Sequence, residues 1–142
     1  MVYNIKDFIK DEKNCTPAFV EAIGVMEDGD VLLLGSELYD MRVEGARIEH
    51  YYMSNNDYGV KPIALPIINK ENITIKGEGA KLVFHGEILP VVVDNSKNIT
   101  LSGFSIDYAV PMYSQSEIIE ATPDKTVIKF DGEQFNCRVD ED

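Results

Sequence analysis

The stretch KNITLSGFSIDY (97–108) decides the fold, because ENITIKGEGAKL (71–82) says nearly the same thing earlier in the chain. Asn69, Asn72, Ile73, Thr74, Ile75 and Gly77 are answered by Asn95, Asn98, Ile99, Thr100, Leu101 and Gly103, a constant shift of 26 residues. Leu65-Pro66 is answered by Leu89-Pro90, a shift of 24. A period of this size marks a structural unit that cannot bury its apolar face alone and stacks on its neighbours. Each unit holds short alternating strands and no helical stretch, so the repeat predicts stacked coils of a parallel β-helix. In that stack Ile75 lies on Leu101 and Asn72 on Asn98, with Phe104 and Ile106 turned inward. Asparagine tolerates the left-handed backbone of a tight turn and bonds its neighbour in the next layer.

Working outward, NCTPAFVEAIGVMEDGD (14–30) reads as a short helix. Thr16 is its expected N-cap and Pro17 its first helical residue, where a missing N–H costs nothing. Phe19, Ala22, Ile23 and Met26 share one face. This helix is expected to cover the open end of the stack, whose strand edges otherwise invite pairing. DVLLLG (30–35) is a buried strand of the first coil. In the stretch 36–53, Tyr39, Met41 and Val43 alternate with polar residues as short strands. SEIIEA (116–121) and TVIKF (126–130) flank TPDK as an antiparallel hairpin. The expected organisation is therefore an N-terminal strand and capping helix over 1–28 and first coils over 29–112. A β-hairpin over 113–142 begins an inserted antiparallel β-subdomain. The fold class is all-β, a right-handed parallel β-helix with an N-terminal capping helix.

The net charge is −12 and the sequence pI about 4.5. An acidic surface argues against nucleic acid and anionic membranes, whose phosphates need Lys and Arg. It suits uncharged ligands such as sugars. No run approaches the ~18 apolar residues of a membrane span, and the first residues carry no apolar core of signal-peptide length. Cys15 and Cys137 lie far apart and read as two inert thiols, with a disulfide as the alternative. No spacing suits a metal, and KGEGAK (76–81) lacks the Gly-Lys-Ser/Thr ending of a phosphate loop. No cofactor is expected. The Asn-x-Thr triplets at Asn14, Asn72 and Asn98 read as structure rather than glycosylation sites.

Several of these segments together resemble one family. They are NIKDF (4–8), the helix, MSNNDYGVKPIALPII (53–68), LVFHGEILPVVVDNSKNITLSGFSIDY (82–108) and DGEQFNCRVD (131–140). The most distinctive parts are Ser54 to Gly59 followed by Lys61, and Phe84-His85-Gly86 leading into Leu89-Pro90. They resemble the bacterial α-1,3-galactosidases, right-handed parallel β-helix glycoside hydrolases that remove terminal α-galactose from blood-group-B-type sugars. The resemblance implies the N-terminal portion of such an enzyme. It places the catalytic aspartates on later coils, a galactose-containing glycan as partner of the longer protein, and a secreted, periplasmic or cell-surface location. Pro62 departs from the basic residue that family members often carry there.

Glycoside hydrolysis needs two carboxyl groups flanking the substrate. The candidates within the chain are Asp57, Asp94 and Asp107. Against that role, Asp94 reads as a turn residue bonding its own backbone and Asp107 as a solvated strand position. SNNDYG is the richest polar cluster: Asn55 and Asn56 are placed to bond sugar hydroxyls and Tyr58 to stack on the ring, and a turn held by asparagine side chains is the plainer reading. His85 is a further substrate-contact candidate, or a satisfied polar group. Two readings thus stand: part of a glycoside hydrolase that lacks the catalytic carboxylates, or a non-catalytic β-helix module that binds carbohydrate or only forms structure. A polysaccharide lyase is disfavoured because outward Arg is scarce. An open coil end predicts self-association.

Overall fold

A computed structural model of the chain describes residues 1–54, 57–111 and 115–130, with the side chain of Met53 left aside. It is mostly β, with one short α-helix, and divides into two compact units, Met1–Asp107 and Tyr108–Asp142.

The first unit is built from two sheets of mainly parallel strands. In one, β1 (Val2–Asn4), β2 (Val31–Gly35) and β6 (Thr74–His85) run side by side, with β3 (Leu38–Arg42) parallel to the second half of β6 and β8 (Thr100–Tyr108) pairing β6. In the other, β5 (Asp57–Ile68) lies between β4 (Arg47–Ser54), antiparallel to it, and β7 (Leu89–Asp94), parallel to it. The 26-residue shift is the register itself. Ile63 pairs with Leu89 and Ile68 with Asp94, Glu71 bridges Lys97, and the Thr100 N–H donates to Ile73 O at 3.0 Å. The Leu-Pro pair does not follow its apparent shift of 24: Leu65 sits opposite Val91 and Pro66 opposite Val92. Cross-strand hydrogen bonds and the asparagine turns set the register, and two similar dipeptides cannot override them.

The turns from β5 to β6 and from β7 to β8 use the predicted asparagines. Asn69, Asn72, Asn95 and Asn98 all have φ between 44° and 54°. Asn98 Nδ2 donates to Asn72 Oδ1 at 2.7 Å, Asn95 Nδ2 donates to Asn69 Oδ1, and Asn72 Nδ2 donates to Asp28 Oδ1. The ladder therefore extends one layer below the visible repeat. There Gly29, two residues before Val31 as Asn72 is two before Thr74, takes the left-handed conformation at φ 79°. Ser96 ties the same corner, donating to Ile67 O at 3.1 Å and accepting from Lys70 N–H at 3.0 Å.

The helix α1 (Thr16–Val25) packs on β5 and β3, burying Phe19, Ala22, Ile23 and Met26 as its spacing predicts. Its N-cap is Cys15 rather than Thr16. Asn14 Oδ1 accepts from Thr16 N–H at 3.1 Å, and the Thr16 hydroxyl oxygen accepts instead from Arg42 N–H at 2.9 Å. At the other end Lys70 Nζ donates to Gly24 O at 3.0 Å and Met26 O at 2.6 Å, satisfying carbonyls that a helix terminus leaves open. Cys15 is buried and its thiol pKa is pushed up, chiefly by burial. Cys137 lies outside the described residues.

Tyr39 and Met41 are buried as expected, and Val43 is exposed. β8 departs further. Ile75 is fully buried, but Leu101 and Ile106, expected inward, are exposed, and Phe104 is half-buried. Among the described residues β8 pairs β6 alone, so its apolar side chains meet a neighbouring layer on one side only.

The second unit contains the predicted hairpin, β9 (Ser116–Ala121) antiparallel to β10 (Thr126–Phe130), with a bulge between Val127 and Ile128. Thr122 N–H donates to Lys125 O at 2.8 Å and closes its turn.

Candidate functional site

The residues singled out from the sequence fall in three places. Asp57 and Tyr58 stand at the tip of the β4–β5 hairpin, whose strands join across 55–56. Asn55 and Asn56 lie outside the described residues. Asp94 ends β7 beside that hairpin, whereas His85 and Asp107 belong to β6 and β8.

The hairpin has two chemically distinct faces, because side chains alternate along each strand. Tyr52 sits opposite Tyr58, His50 opposite Val60 and Ile48 opposite Pro62. These form one face. Tyr51 opposite Gly59, Glu49 opposite Lys61 and Arg47 opposite Ile63 form the other. On the second face the charges pair among themselves: Arg47 Nη2 lies 2.6 Å from Glu49 Oε1, and Lys61 bonds Asp57. The Tyr51 hydroxyl donates to Asp94 Oδ2 at 2.9 Å, tying the hairpin to β7. Burial, then this carboxylate, raises the Tyr51 pKa. Asp94 therefore accepts a long-range bond.

The first face carries rings. His50 and Tyr58 have centroids 5.5 Å apart, and Tyr52 and Tyr58 6.2 Å, both tilted. Such spacings are those of interacting aromatics. His50 and Tyr52 do not stand out in the one-dimensional sequence. The signal was the alternation in the runs on either side of Asn55-Asn56, which reads as two strands of a hairpin.

The other candidates have partners of their own. His85 Nε2 lies 2.6 Å from Asp40 Oδ1, a pair brought together by the parallel register of β3 on β6. Asp107 Oδ2 lies 3.3 Å from Lys81 Nζ. A cleft of about 880 Å³ beside β3 is lined by Lys6, Ile9, Glu12, Cys15, Leu38 and Asp40 among others. Its walls too are internally matched: Lys6 bonds Glu37 and Asp40 bonds His85. At its edge burial pushes the Tyr39 pKa up to about 12, and the Tyr39 hydroxyl donates to Leu34 O. Among the described residues no group of three or more His, Cys, Asp or Glu side chains is placed to hold a metal ion, and no helix is long and apolar enough to cross a membrane.

No protein-family model matches the chain. Individual proteins do. The alpha-1,3-galactosidase A of Shewanella woodyi is 39% identical over 111 residues, 77% of this chain and 18% of that protein. The chain is related to a segment of the bacterial alpha-1,3-galactosidases. The alpha-1,3-galactosidase B of Bacteroides fragilis is 31% identical over 136 residues, 89% of this chain and 23% of its own length. That of Bacteroides thetaiotaomicron is 29% identical over 141 residues, with 94% and 23% covered. The chain thus spans about a fifth of the length of these relatives, which are glycoside hydrolases by name.

Proposed function

We propose that this chain forms the first coils of a right-handed parallel β-helix, in the N-terminal part of a glycoside hydrolase that removes terminal α-linked galactose. The kinship to alpha-1,3-galactosidases over most of the chain is the observation that carries the reading. The constant 26-residue register, the asparagine ladder and α1 packed on β5 support the β-helix with a capping helix. In this reading the chain supplies the cap, a rigid stack and a sugar-contact surface on the β4–β5 hairpin. Tyr58 contacts the sugar there, Asn55 and Asn56 are the further contacts named from the sequence, and His85, on β6, is another.

The hydrolytic carboxylates lie elsewhere in the longer protein. Asp57, Asp94 and Asp107 each hold a partner within the chain, Lys61, Tyr51 and Lys81. They act as fasteners of the hairpin and of β8 rather than as an acid–nucleophile pair, which needs two carboxyl groups about 5–10 Å apart around one bond. The same pairing favours the second reading, a non-catalytic carbohydrate-binding or structural module. The exposed Leu101 and Ile106 of β8 support self-association through that strand.

Galactose release from α-1,3-linked galactobiose by the purified chain at high concentration tests the division of labour, with circular dichroism confirming a β-folded sample. No release is expected. Release abolished by Asp57→Asn, Asp94→Asn or Asp107→Asn would put the chemistry inside these residues. Sedimentation velocity tests self-association: a dimer growing with concentration is expected, and a monomer at every concentration refutes it.

A further inference from the structure

The β4–β5 hairpin is amphipathic in the reverse sense. On its charged face Lys61, Glu49 and Tyr51 are half-buried and Ile63 is fully buried, while Arg47 and Asp57 are exposed at its edges. Its aromatic face turns to water. Tyr58 is 68% exposed, Tyr52 64%, and Ile48 and Val60 57% each, with His50 exposed between them. Folding usually places such side chains the other way round. An exposed apolar strip of this kind is open to contact with a ligand.

We propose that His50, Tyr52 and Tyr58, flanked by Ile48 and Val60, form a stacking surface for the apolar face of a pyranose ring. The proposal rests on the carbohydrate reading above and deepens it: it names two further residues and the mode of contact.

Size, charge and chemistry select the occupant. From residue 48 to residue 52 the strip is about 14 Å long, and two strands with their side chains make it about 10 Å wide. That is the footprint of a mono- or disaccharide and far below the ~800 Å² per partner of a stable protein interface. The hairpin's charges neutralise one another on the opposite face, Arg47 with Glu49 and Lys61 with Asp57. The strip thus offers rings without a charge of its own sign, which suits an uncharged ligand. A pyranose presents C–H groups on one face and hydroxyls around its rim. Galactose, with its axial hydroxyl on one side, leaves the other side especially bare. Tilted rings provide the apolar half of that match, and the Tyr58 hydroxyl provides a polar group beside it.

The test is saturation-transfer NMR of α-1,3-galactobiose, and separately of cellobiose, on the intact 142-residue chain. The expected result is transfer concentrated on the hydrogens of one ring face, with binding weakened ~10-fold or more in Tyr52→Ala and in Tyr58→Ala, about 1.4 kcal/mol each. Glu49→Gln, on the opposite face, leaves binding unchanged. Both tyrosines point to solvent, and circular dichroism confirms that the variants fold. Binding that survives both alanine variants overturns the proposal, as does failure of both disaccharides to bind. So does a dimer that Tyr52→Ala or Tyr58→Ala converts to monomer without any sugar contact, since the face would then join two copies. Cellobiose bound through the tyrosines with galactobiose ignored would uphold the stacking surface and count against the galactose reading beneath it.

Discussion

Replacing Gly103 with alanine should break the stack where two layers touch. The backbones of Gly77 and Gly103 approach so closely that a Cβ on Gly103 would stand 2.8 Å from the Gly77 carbonyl carbon, and nearer still to its oxygen. Carbon atoms rest at about 3.5 Å or more, so β6 and β8 would have to part by at least ~0.7 Å. Neither obstacle is a flexible side chain; both are main chain locked in a ladder. Gly103 also has φ 70°, where an L-residue costs ~1–2 kcal/mol. Overpacking adds ~1–3 kcal/mol, for a total of ~2–5 kcal/mol. In thermal melts followed by circular dichroism this corresponds to a drop of roughly 6–20 °C. Gly24→Ala is the control. It lies in α1 with nothing within 4 Å of an added Cβ, and should gain ~0.5–1 kcal/mol. If Gly103→Ala unfolds within ~0.5 kcal/mol of the parent in urea titrations, the layers do not meet at these glycines and the register is wrong.

Lys70→Met removes the donor to the Gly24 and Met26 carbonyls and should cost ~1–2 kcal/mol in urea titrations, with the loss concentrated in helical signal. Tyr39→Phe leaves the carbonyl of the fully buried Leu34 without its donor and should cost ~1–3 kcal/mol; an unchanged midpoint would contradict that bond. Asp30 governs acid stability. The Glu27 N–H, at 2.8 Å, and then the N-terminal ammonium hold its carboxyl below the ordinary value of 3.8. Its unfolded state therefore binds protons first. The contribution is present above that value and lost as pH falls through the lower folded value. Asp30→Asn should flatten the fall of the urea midpoint as pH drops below about 4, relative to the parent.

The layer-to-layer contacts were legible because they repeat. Asn72 over Asn98 follows from two copies of one pattern, and a left-handed turn leaves few residue types to choose from. The apolar face of α1 and the 116–130 hairpin were legible for a similar reason: periods of 3.6 and 2 are local signals. Residues that meet across long separations left no such trace. Asp40 reaches His85 only through the β3–β6 register, and Tyr51 reaches Asp94 from a neighbouring hairpin. Leu65-Pro66 and Leu89-Pro90 look equivalent on paper, yet the ladder pairs Ile63 with Leu89. Leu101 and Ile106 alternate as inward residues do, but alternation states which face they share and not whether a neighbour covers it. In the hairpin, Tyr58 was visible as an aromatic in a polar cluster. His50 and Tyr52 became visible only once the strands were folded about residues 55–56 and their faces could be told apart.

A hybrid enzyme tests the central claim most directly. The segment of the Shewanella woodyi alpha-1,3-galactosidase A that matches this chain, 39% identical over 111 residues, is replaced by the corresponding residues of this chain, and galactose release from α-1,3-galactobiose is measured. A folded hybrid that still releases galactose, with release weakened by Tyr58→Ala and Gly103→Ala, is the predicted result. A folded hybrid without activity would contradict the claim that this chain does in its own protein what the matching segment does in the galactosidase.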